Sequence, residues 1–199
     1  MADRPAEELA DRPERWPVLE SEDLHRDQWV VALRRDLVRR PGGEDEAPFG
    51  RLVLEHPGAV VVLALDDQDR VVLLRQYRHP AQTRFVELPA GLLDHPGEEP
   101  VDVARRELIE ETGLAAETWT SLGSFWSSPG ISAEHIHLFL ARGLREVGRG
   151  EFAMQHEEAD MEVFRAPFAD LLAAVLDGSV SDGPAVVAVL KAHALGLIG

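Results

Sequence analysis

The sequence predicts an α/β fold in which a sheet has helices on both faces, preceded by a small β-rich unit. Apolar and β-branched segments recur between turn residues along most of the chain, as expected for strands. One helical segment interrupts them near the middle and two more follow at the end, and this mixed order favours helices on both faces. The chain has 199 residues, 45% hydrophobic and 28% charged, which suffices for a packed core.

The N-terminal region, residues 1–57, is predicted to contain three strands. Residues 1–15 are polar and contain prolines, so we expect them to be loosely ordered. Apolar and β-branched residues predict strands at Trp16–Glu20, Trp29–Val38 and Phe49–His56, with a turn at residues 41–46. A unit of this size is short for an independently stable domain.

The second region, residues 58–199, carries the remaining strands and all the predicted helices. The apolar run Ala59–Leu65 ends at a polar turn, and Arg70–Gln76 follows, so the two are predicted to form a hairpin of buried strands. Val101–Thr112 is predicted to be a helix that ends at Gly113. The other predicted elements are strands at Arg84–Leu88, Leu122–Trp126, His135–Ala141 and Val163–Ala166, an acidic loop at Gly148–Asp160, and helices at Pro167–Leu176, with proline at its first position, and Pro184–Leu197.

Charge and composition exclude several classes of function. The formal net charge of −16 repels nucleic-acid phosphates and anionic lipids, so we expect neither nucleic acid nor a membrane as a partner. The absence of cysteine excludes a thiolate metal site and a cysteine nucleophile, and it agrees with a cytoplasmic location. The N-terminus lacks an apolar signal core, and no apolar run is long enough to span a bilayer. Neither a G-x-S-x-G motif nor a P-loop is present.

Three glutamates on one side of the central helix are the strongest functional signal. At about 100° per residue, Glu107 and Glu111 lie one turn apart at the edge of the apolar stripe, with Glu110 next to them. A solvated face usually interleaves lysines, but here only Arg106 is close, and we expect it to pair with one of the three. The uncompensated charge predicts a divalent cation, Mg²⁺ or Mn²⁺, although a bare E-x-x-E-E also occurs in ordinary acidic helices.

A longer pattern surrounds these glutamates. It reads G-x6-E-x7-R-E-U-x-E-E-x-G-U, where U is aliphatic, and its positions are Gly91, Glu98, Arg106, Glu107, Leu108, Glu110, Glu111, Gly113 and Leu114. Its chance occurrence is on the order of one in a hundred thousand. The stretch resembles the Nudix box, except that six residues rather than five separate the first glycine from the first glutamate. Because Glu98 keeps its distance to Arg106, we expect a longer loop at residues 92–97 and an intact helix.

The resemblance to the Nudix family implies a fold and a set of site residues. The implied fold is an α/β/α sandwich with a mixed sheet, and the implied reaction is hydrolysis of a pyrophosphate linked to another moiety. Glu107, Glu111 and the carbonyl of Ala90 are the implied metal ligands, with Glu110 as a further ligand or a neighbour of the metal. Arg106 and Glu98 are implied to orient these carboxylates, so that both act on catalysis indirectly.

Features outside the box are similar to ADP-ribose pyrophosphatases. They are Pro129, sixteen residues after Gly113, the run Glu87–Gly91, and the tripeptide at residues 76–78. The resemblance implies that ADP-ribose is hydrolysed to AMP and ribose 5-phosphate, and that residues 1–57 mediate homodimer formation. On the residues alone, Pro129 is equally compatible with an ordinary turn.

The same resemblance implies substrate contacts. Arg78 is expected to contact the diphosphate or the ribose, and Glu87 and Glu134 are expected to lie near the ligand. Arg51 and Trp29 are expected to flank the adenine, since a cation and an aromatic ring suit a purine. On the residues alone, Trp29 is equally compatible with a core aromatic and Arg51 with a solvated strand charge.

The general base is expected in the acidic loop. Glu157 is the closest match to the family's catalytic glutamate, with Glu158 as the alternative, and a merely solvated loop is a third interpretation. His135 and His137 share a strand face, but no third histidine ligand is evident in the sequence, so no histidine metal site is predicted.

Two other functions stay open at this point. One is a Nudix enzyme for another nucleoside diphosphate sugar or a dinucleotide. The other is a non-catalytic module that binds ADP-ribose. The second is disfavoured because such regulators carry a basic DNA-binding appendage, whereas this chain is acidic and keeps the box carboxylates.

Overall fold

The computed structural model describes residues 9–27, 31–150 and 160–198. The chain divides into two compact units, Met1–Leu54 and Glu55–Gly199. Within the described part of the chain, no helix is long and apolar enough to cross a membrane.

The N-terminal unit is a sheet of order β1–β2–β3. Its strands are β1 (Val18–His25), β2 (Ala32–Val38) and β3 (Phe49–Glu55). β1 runs past the predicted end at Glu20, because its polar residues pair with β2 through the backbone although they lack an apolar pattern. Trp29 and Val30, at the predicted start of the second strand, lie outside the described residues.

In the described residues of the second unit there are two sheets, with strand orders β7–β4–β9–β8 and β10–β5–β6, and three α-helices. The first sheet is mixed, since β4 runs parallel to β9 whereas β7 and β8 run antiparallel to their neighbours. The elements are β4 (Ala59–Ala64), β5 (Arg70–Arg78), β6 (Thr83–Glu87), β7 (Ala90–Leu92), α1 (Pro100–Thr112), β8 (Leu114–Trp126), β9 (His135–Glu146), β10 (Glu162–Pro167), α2 (Phe168–Leu176) and α3 (Gly183–Ala194).

Helices cover both faces of the mixed sheet. Val60 of β4 belongs to the same buried cluster as Leu108 of α1. Its neighbour Val61 belongs to a second cluster with Phe168 of α2 and Val189 of α3. Because successive residues of a strand point to opposite faces, α1 lies on one face and α2 and α3 on the other. The predicted α/β/α sandwich with a mixed sheet is confirmed.

The predicted hairpin of Ala59–Leu65 with Arg70–Gln76 is wrong. An antiparallel bridge, Leu65 to Val71, joins β4 to β5, and the two strands then enter different sheets. β4 pairs with β7 and β9, and β5 pairs with β6 and β10. A strand that is buried on both faces lacks the alternation from which a partner could be inferred.

Several element boundaries also differ from prediction. Ala90 and Gly91 belong to a short strand, β7, that was not predicted. β8 starts at Leu114 instead of Leu122, directly after α1, and β9 continues to Glu146 instead of Ala141. The polar residues in these extensions hide the strand pattern. Helix α2 starts one residue after Pro167, and α3 ends at Ala194 instead of Leu197.

Candidate active site

Helix α1 presents its glutamates toward β7. Pro100 occupies its first position, and Gly113 ends it in the left-handed conformation with φ of 74°. The helix is intact, as expected from the spacing of the box, and the extra box residue lies in the loop before it. Its buried residues are Val103, Ala104, Leu108 and Glu111. A carboxylate therefore lies on the buried stripe itself.

Glu107 packs directly against Gly91 of β7. A Cβ atom built on Gly91 would lie 2.1 Å from Cδ and 2.3 Å from Oε1 of Glu107. A side chain at this position would force the Glu107 carboxylate to move away from the strand. The first glycine of the box thus allows the carboxylate to approach the strand.

Glu111 contacts the neighbouring residue of the same strand. It is only 9% exposed, and its Oε2 accepts a hydrogen bond from the backbone N–H of Ala90 at 2.9 Å. The carboxylates of Glu107 and Glu111, one turn apart on α1, therefore contact β7 at Gly91 and Ala90. Gly91 is the first residue of the box, and the carbonyl of Ala90 was predicted to be a metal ligand.

Arg106 bridges the acidic residues around it. Its Nη1 donates to Oε1 of Glu107 at 2.7 Å and to Oε2 of Glu110 at 3.4 Å, and its Nη2 lies 3.5 Å from Oε2 of Glu98. The expectation that Arg106 pairs with only one of the helix glutamates is therefore wrong, because one nitrogen of the guanidinium reaches two carboxylates. The predicted pairing of Arg106 with Glu98 is present as an ion pair.

In the described structure, the residues around Arg106 include buried polar atoms without hydrogen-bond partners, and they carry more negative than positive charge. Burial raises the pKa of Glu107 to about 7, and the nearby negative charge of Glu110 adds to this effect while Arg106 opposes it. Within the described residues, Nε and Nη2 of Arg106 and Oε2 of Glu98 are buried without a hydrogen-bond partner. One guanidinium does not compensate the acids around it, so a cation with oxygen ligands suits this group.

A metal-binding geometry is not preformed by side chains alone. In the part of the chain that is described, no group of three or more His, Cys, Asp or Glu side chains is arranged to hold a metal ion. Glu107 instead bonds Arg106, and Glu111 bonds the Ala90 N–H. Both carboxylates are therefore held by protein donors.

Arg78 and Glu87 form a second group. Nε of Arg78 donates to Oε1 of Glu87 at 2.9 Å, and Nη2 donates to Oε2 at 2.6 Å. The side chain of Glu87 is 6% exposed and that of Arg78 is 46% exposed. The hydrogen bonds to Glu87, together with the nearby charges of Asp182 and Glu111, raise the pKa of Arg78. Arg78 is thus oriented by the buried carboxylate of Glu87. It is also close enough to α1 for the charge of Glu111 to stabilise its protonated form.

Asp182 belongs to this second group, although the sequence analysis did not single it out. Its side chain caps α3 by accepting the backbone N–H of Ala185 at 2.9 Å. Burial raises the pKa of Asp182 to about 6, and the charges of Glu87 and Glu134 contribute. The order Asp-Gly-Pro before a helical segment is the signal that could have identified this cap.

His56 was also missed, and it faces Glu134. Nδ1 of His56 accepts the N–H of Gly58 at 3.1 Å, which leaves Nε2 directed at Oε1 of Glu134, 3.6 Å away. Burial lowers the pKa of His56, and the charge of Glu134 opposes this shift. No local motif connects these two residues, since they are far apart in the sequence.

Pro129 lies in a turn between β8 and β9. The N–H of Ile131 donates to the carbonyl of Ser128 at 3.0 Å across this turn, and Pro129 is exposed. Trp126 and His135 stack at the base of the loop, with ring centroids 4.5 Å apart and planes 20° apart. The loop that carries Pro129 therefore has an ordered base.

The other predicted site residues belong to the N-terminal unit or lie outside the described residues. Arg51 lies on β3 in the N-terminal unit, where its guanidinium is 4.4 Å from the ring centroid of Phe49. Trp29, Glu157 and Glu158 lie outside the described residues. The adenine contacts and the general base stay predictions.

Comparison with known proteins identifies the family. Residues 55–184 match the sequence profile of the NUDIX domain. A protein named ADP-ribose pyrophosphatase from Mycobacterium tuberculosis is 46% identical over 177 residues, which are 89% of this chain and 83% of that protein. A GDP-mannose pyrophosphatase from Pectobacterium atrosepticum is 33% identical over 180 residues, 85% of this chain and 89% of that protein. A crystal structure described as an ADP compounds hydrolase has a similar fold, with a TM-score of 0.74, 19% identity, and coverage of 94% of this chain and 96% of that chain. The resemblance carried by the box is confirmed, and the chain belongs to the Nudix hydrolase family.

Proposed function

We propose that this Nudix hydrolase cleaves the pyrophosphate bond of ADP-ribose to give AMP and ribose 5-phosphate, with Mg²⁺ or Mn²⁺ as its cation. The observation that carries the proposal is the approach of Glu107 and Glu111 to β7 on the side toward Arg78. The identity to the relative named for ADP-ribose is higher than that to the relative named for GDP-mannose, which supports ADP-ribose as the substrate.

The residues at β7 fit a hard divalent cation. Glu107, Glu111 and the carbonyl of Ala90 would hold it, with Glu110 as a further ligand or neighbour, and all these donors are oxygen atoms. When bound, the cation neutralises charge on the diphosphate and lowers the pKa of the attacking water. The raised pKa of Glu107 supports this assignment, because it marks a buried carboxylate that Arg106 compensates only in part.

The orienting pairs keep the reacting groups in place. Arg106 and Glu98 hold the carboxylates of the helix. Two hydrogen bonds to Glu87 fix the orientation of the Arg78 guanidinium. The exposed part of the guanidinium can donate to a diphosphate and help to align it with the attacking water. Glu87 itself is buried, so we assign it to holding Arg78 and not to direct contact with the ligand.

The remaining roles follow from the resemblance. Glu157 would take the proton from the attacking water, with Glu158 as the alternative. Glu134 and the loop of Pro129 would lie against the ribose 5-phosphate moiety, and Arg51 and Trp29 would flank the adenine. We further propose that the enzyme is a cytoplasmic homodimer assembled through its N-terminal unit, which is supported by β1, exposed along its whole length.

Two alternatives make different predictions. The similarity to a GDP-mannose pyrophosphatase keeps another nucleoside diphosphate sugar, or a dinucleotide, as the second candidate substrate. A module that only binds ADP-ribose would release no product.

Product analysis tests the proposal and both alternatives. The purified protein is incubated with ADP-ribose and MgCl₂, and the products are separated by anion-exchange chromatography. We expect AMP and ribose 5-phosphate in equal amounts, with no reaction in excess EDTA. Binding of ADP-ribose without any product, measured by calorimetry, would overturn the proposal in favour of the binding module.

A further inference from the structure

The end of α1 is fastened to the chain that follows β9. Nη2 of Arg149 donates to the backbone carbonyl of Glu111 at 2.6 Å. The N–H groups of Val147 and Gly148 both donate to the carbonyl of Gly113, at 2.9 and 3.0 Å. Three bonds from consecutive residues therefore hold the last turn of α1, and one of them reaches the residue that carries a carboxylate of the site.

The negative charge of this turn explains why a positively charged side chain is bound there. The last carbonyl groups of a helix lack intrahelical partners and carry partial negative charge. The last turn of α1 adds Glu110 and Glu111 to this charge and contains no basic residue. Arg149 supplies the missing positive charge from 38 residues further along the chain. Its hydrogen bond to the carbonyl is charge-assisted and therefore among the stronger kinds.

The segment after β9 also lies beside the glycine that ends the helix. Gly113 ends α1 with φ of 74°, and a Cβ atom built on it would lie 3.5 Å from the Cα of Gly148 and 3.6 Å from Cγ of Arg149. The Arg149 side chain is half-buried against the end of the helix. A displacement of the guanidinium would therefore remove its bond to the carbonyl of Glu111, the same residue whose Oε2 accepts the N–H of Ala90.

We propose that Arg149 is a positioning residue for Glu111. Its guanidinium holds the last turn of α1 in the position in which the Glu111 carboxylate contacts β7. Through this contact it sets the affinity of the site for its divalent cation. The inference rests on the proposed function, in which Glu111 binds that cation. Because Arg149 bonds the backbone of Glu111, it is expected to act on the metal side of the site.

Metal titration of three variants tests this role without relying on turnover. Mn²⁺ binding to wild type, Arg149→Gln, Arg149→Lys and Arg145→Gln is measured by electron paramagnetic resonance, and kcat and KM for ADP-ribose are measured separately. Arg145 is exposed on β9, and its substitution changes the net charge equally. For Arg149→Gln we expect a Kd for Mn²⁺ raised about tenfold and a lower kcat, with KM unchanged. Lysine keeps the charge and one donor, so Arg149→Lys is expected within about threefold of wild type.

The outcomes separate this inference from the proposed function. Wild-type Mn²⁺ affinity in Arg149→Gln, or an equal loss in Arg145→Gln, overturns the role of Arg149. If Arg149→Gln does not fold, Arg149→Met decides, since it keeps an aliphatic stem but has no donor, and wild-type Mn²⁺ affinity in that folded variant overturns the role. A wild-type protein that binds Mn²⁺ but leaves ADP-ribose intact overturns the proposed substrate, and the Mn²⁺ titrations still decide the role of Arg149.

Discussion

The two groups of residues at the candidate site are built in different ways. On the metal side, one helix presents Glu107, Glu110 and Glu111, and a single arginine is shared between the first two. On the substrate side, each acid comes from a different element and has its own donor: Glu87 has Arg78, and Asp182 has the N–H of Ala185. Negative charge is thus less well compensated on the metal side, whereas each acid on the substrate side has a hydrogen-bond donor of its own. Substitutions should lower kcat on the first side, and change KM or stability on the second.

The largest effect is expected for Glu107→Gln. Loss of a metal ligand should reduce kcat by about 10²- to 10³-fold, since metal stabilisation of the transition state is worth several kcal/mol. Addition of Mg²⁺ should raise Tm in the wild type but not in this variant, because only a protein that binds the cation is stabilised by it. The matched control is Glu99→Gln, at the exposed start of the same helix. Near-wild-type turnover of Glu107→Gln at saturating Mg²⁺ would contradict the metal assignment.

A smaller loss of kcat is expected for Gly91→Ala. The added methyl group would occupy the position of the Glu107 carboxylate, and that side chain must move. We expect a decrease of kcat of about tenfold to a hundredfold, as for other displaced metal-site groups, measured at saturating Mg²⁺. Gly50→Ala is the control, since its added methyl lies 3.9 Å from the nearest side-chain atom, Cδ of Arg35. Equal activity of the two variants would show that the approach of Glu107 to β7 is dispensable.

On the substrate side, Glu87→Gln should raise KM for ADP-ribose about tenfold with a smaller change in kcat. The variant loses one of two charge-assisted bonds to Arg78, so the guanidinium is oriented less well. Glu162→Gln is the control in the same sheet, because its pair with Arg75 is exposed and has an N–O distance of 3.7 Å. An effect on kcat alone would place Glu87 on the metal side and remove the distinction between the two groups.

The smallest effect is expected at Asp182, and it should appear in stability. Asparagine can keep the cap of α3 but alanine cannot, so Asp182→Ala should be less stable than Asp182→Asn by about 1 kcal/mol, roughly 2–4 °C in Tm. Calorimetric melting curves measure this difference. Equal Tm values of the two variants would show that the cap contributes nothing.

The same residue predicts a pH dependence of defined sign. Burial raises the pKa of Asp182 to about 6 from the usual 3.8, so the folded protein favours the neutral form. The resulting stabilisation is complete below about pH 3.8 and is lost as the pH rises through 6. Asparagine mimics the neutral form at every pH. The Tm of Asp182→Asn relative to wild type should therefore increase between pH 5 and about pH 7.5, and a constant difference would contradict the shift.

The contrast between the two groups also explains what could be predicted from the sequence. The spacing of Glu107 and Glu111 follows from the period of one helix, so a short segment suffices to place both on the side of β7. The sandwich itself followed from the order of the elements.

The other parts of the fold and of the site depend on which strands and helices pack together, and a short segment of sequence does not show this. His56 and Glu134 come together because β4 and β9 are parallel neighbours, and Asp182 because α3 packs on the same sheet. The predicted hairpin of β4 with β5 was wrong for the same reason, since fully buried strands do not encode their partners. The shared pairing of Arg106 was missed because helical spacing describes Cβ positions, whereas a guanidinium reaches several carboxylates through its planar fork of donors.

A substrate panel tests the central claim most directly. The kcat/KM values of the purified protein are measured with Mg²⁺ for ADP-ribose, GDP-mannose and a dinucleotide such as NADH. The account predicts that ADP-ribose is cleaved with the highest kcat/KM, by at least about tenfold. A higher kcat/KM for GDP-mannose or the dinucleotide, or the absence of cleavage of all three, would contradict it.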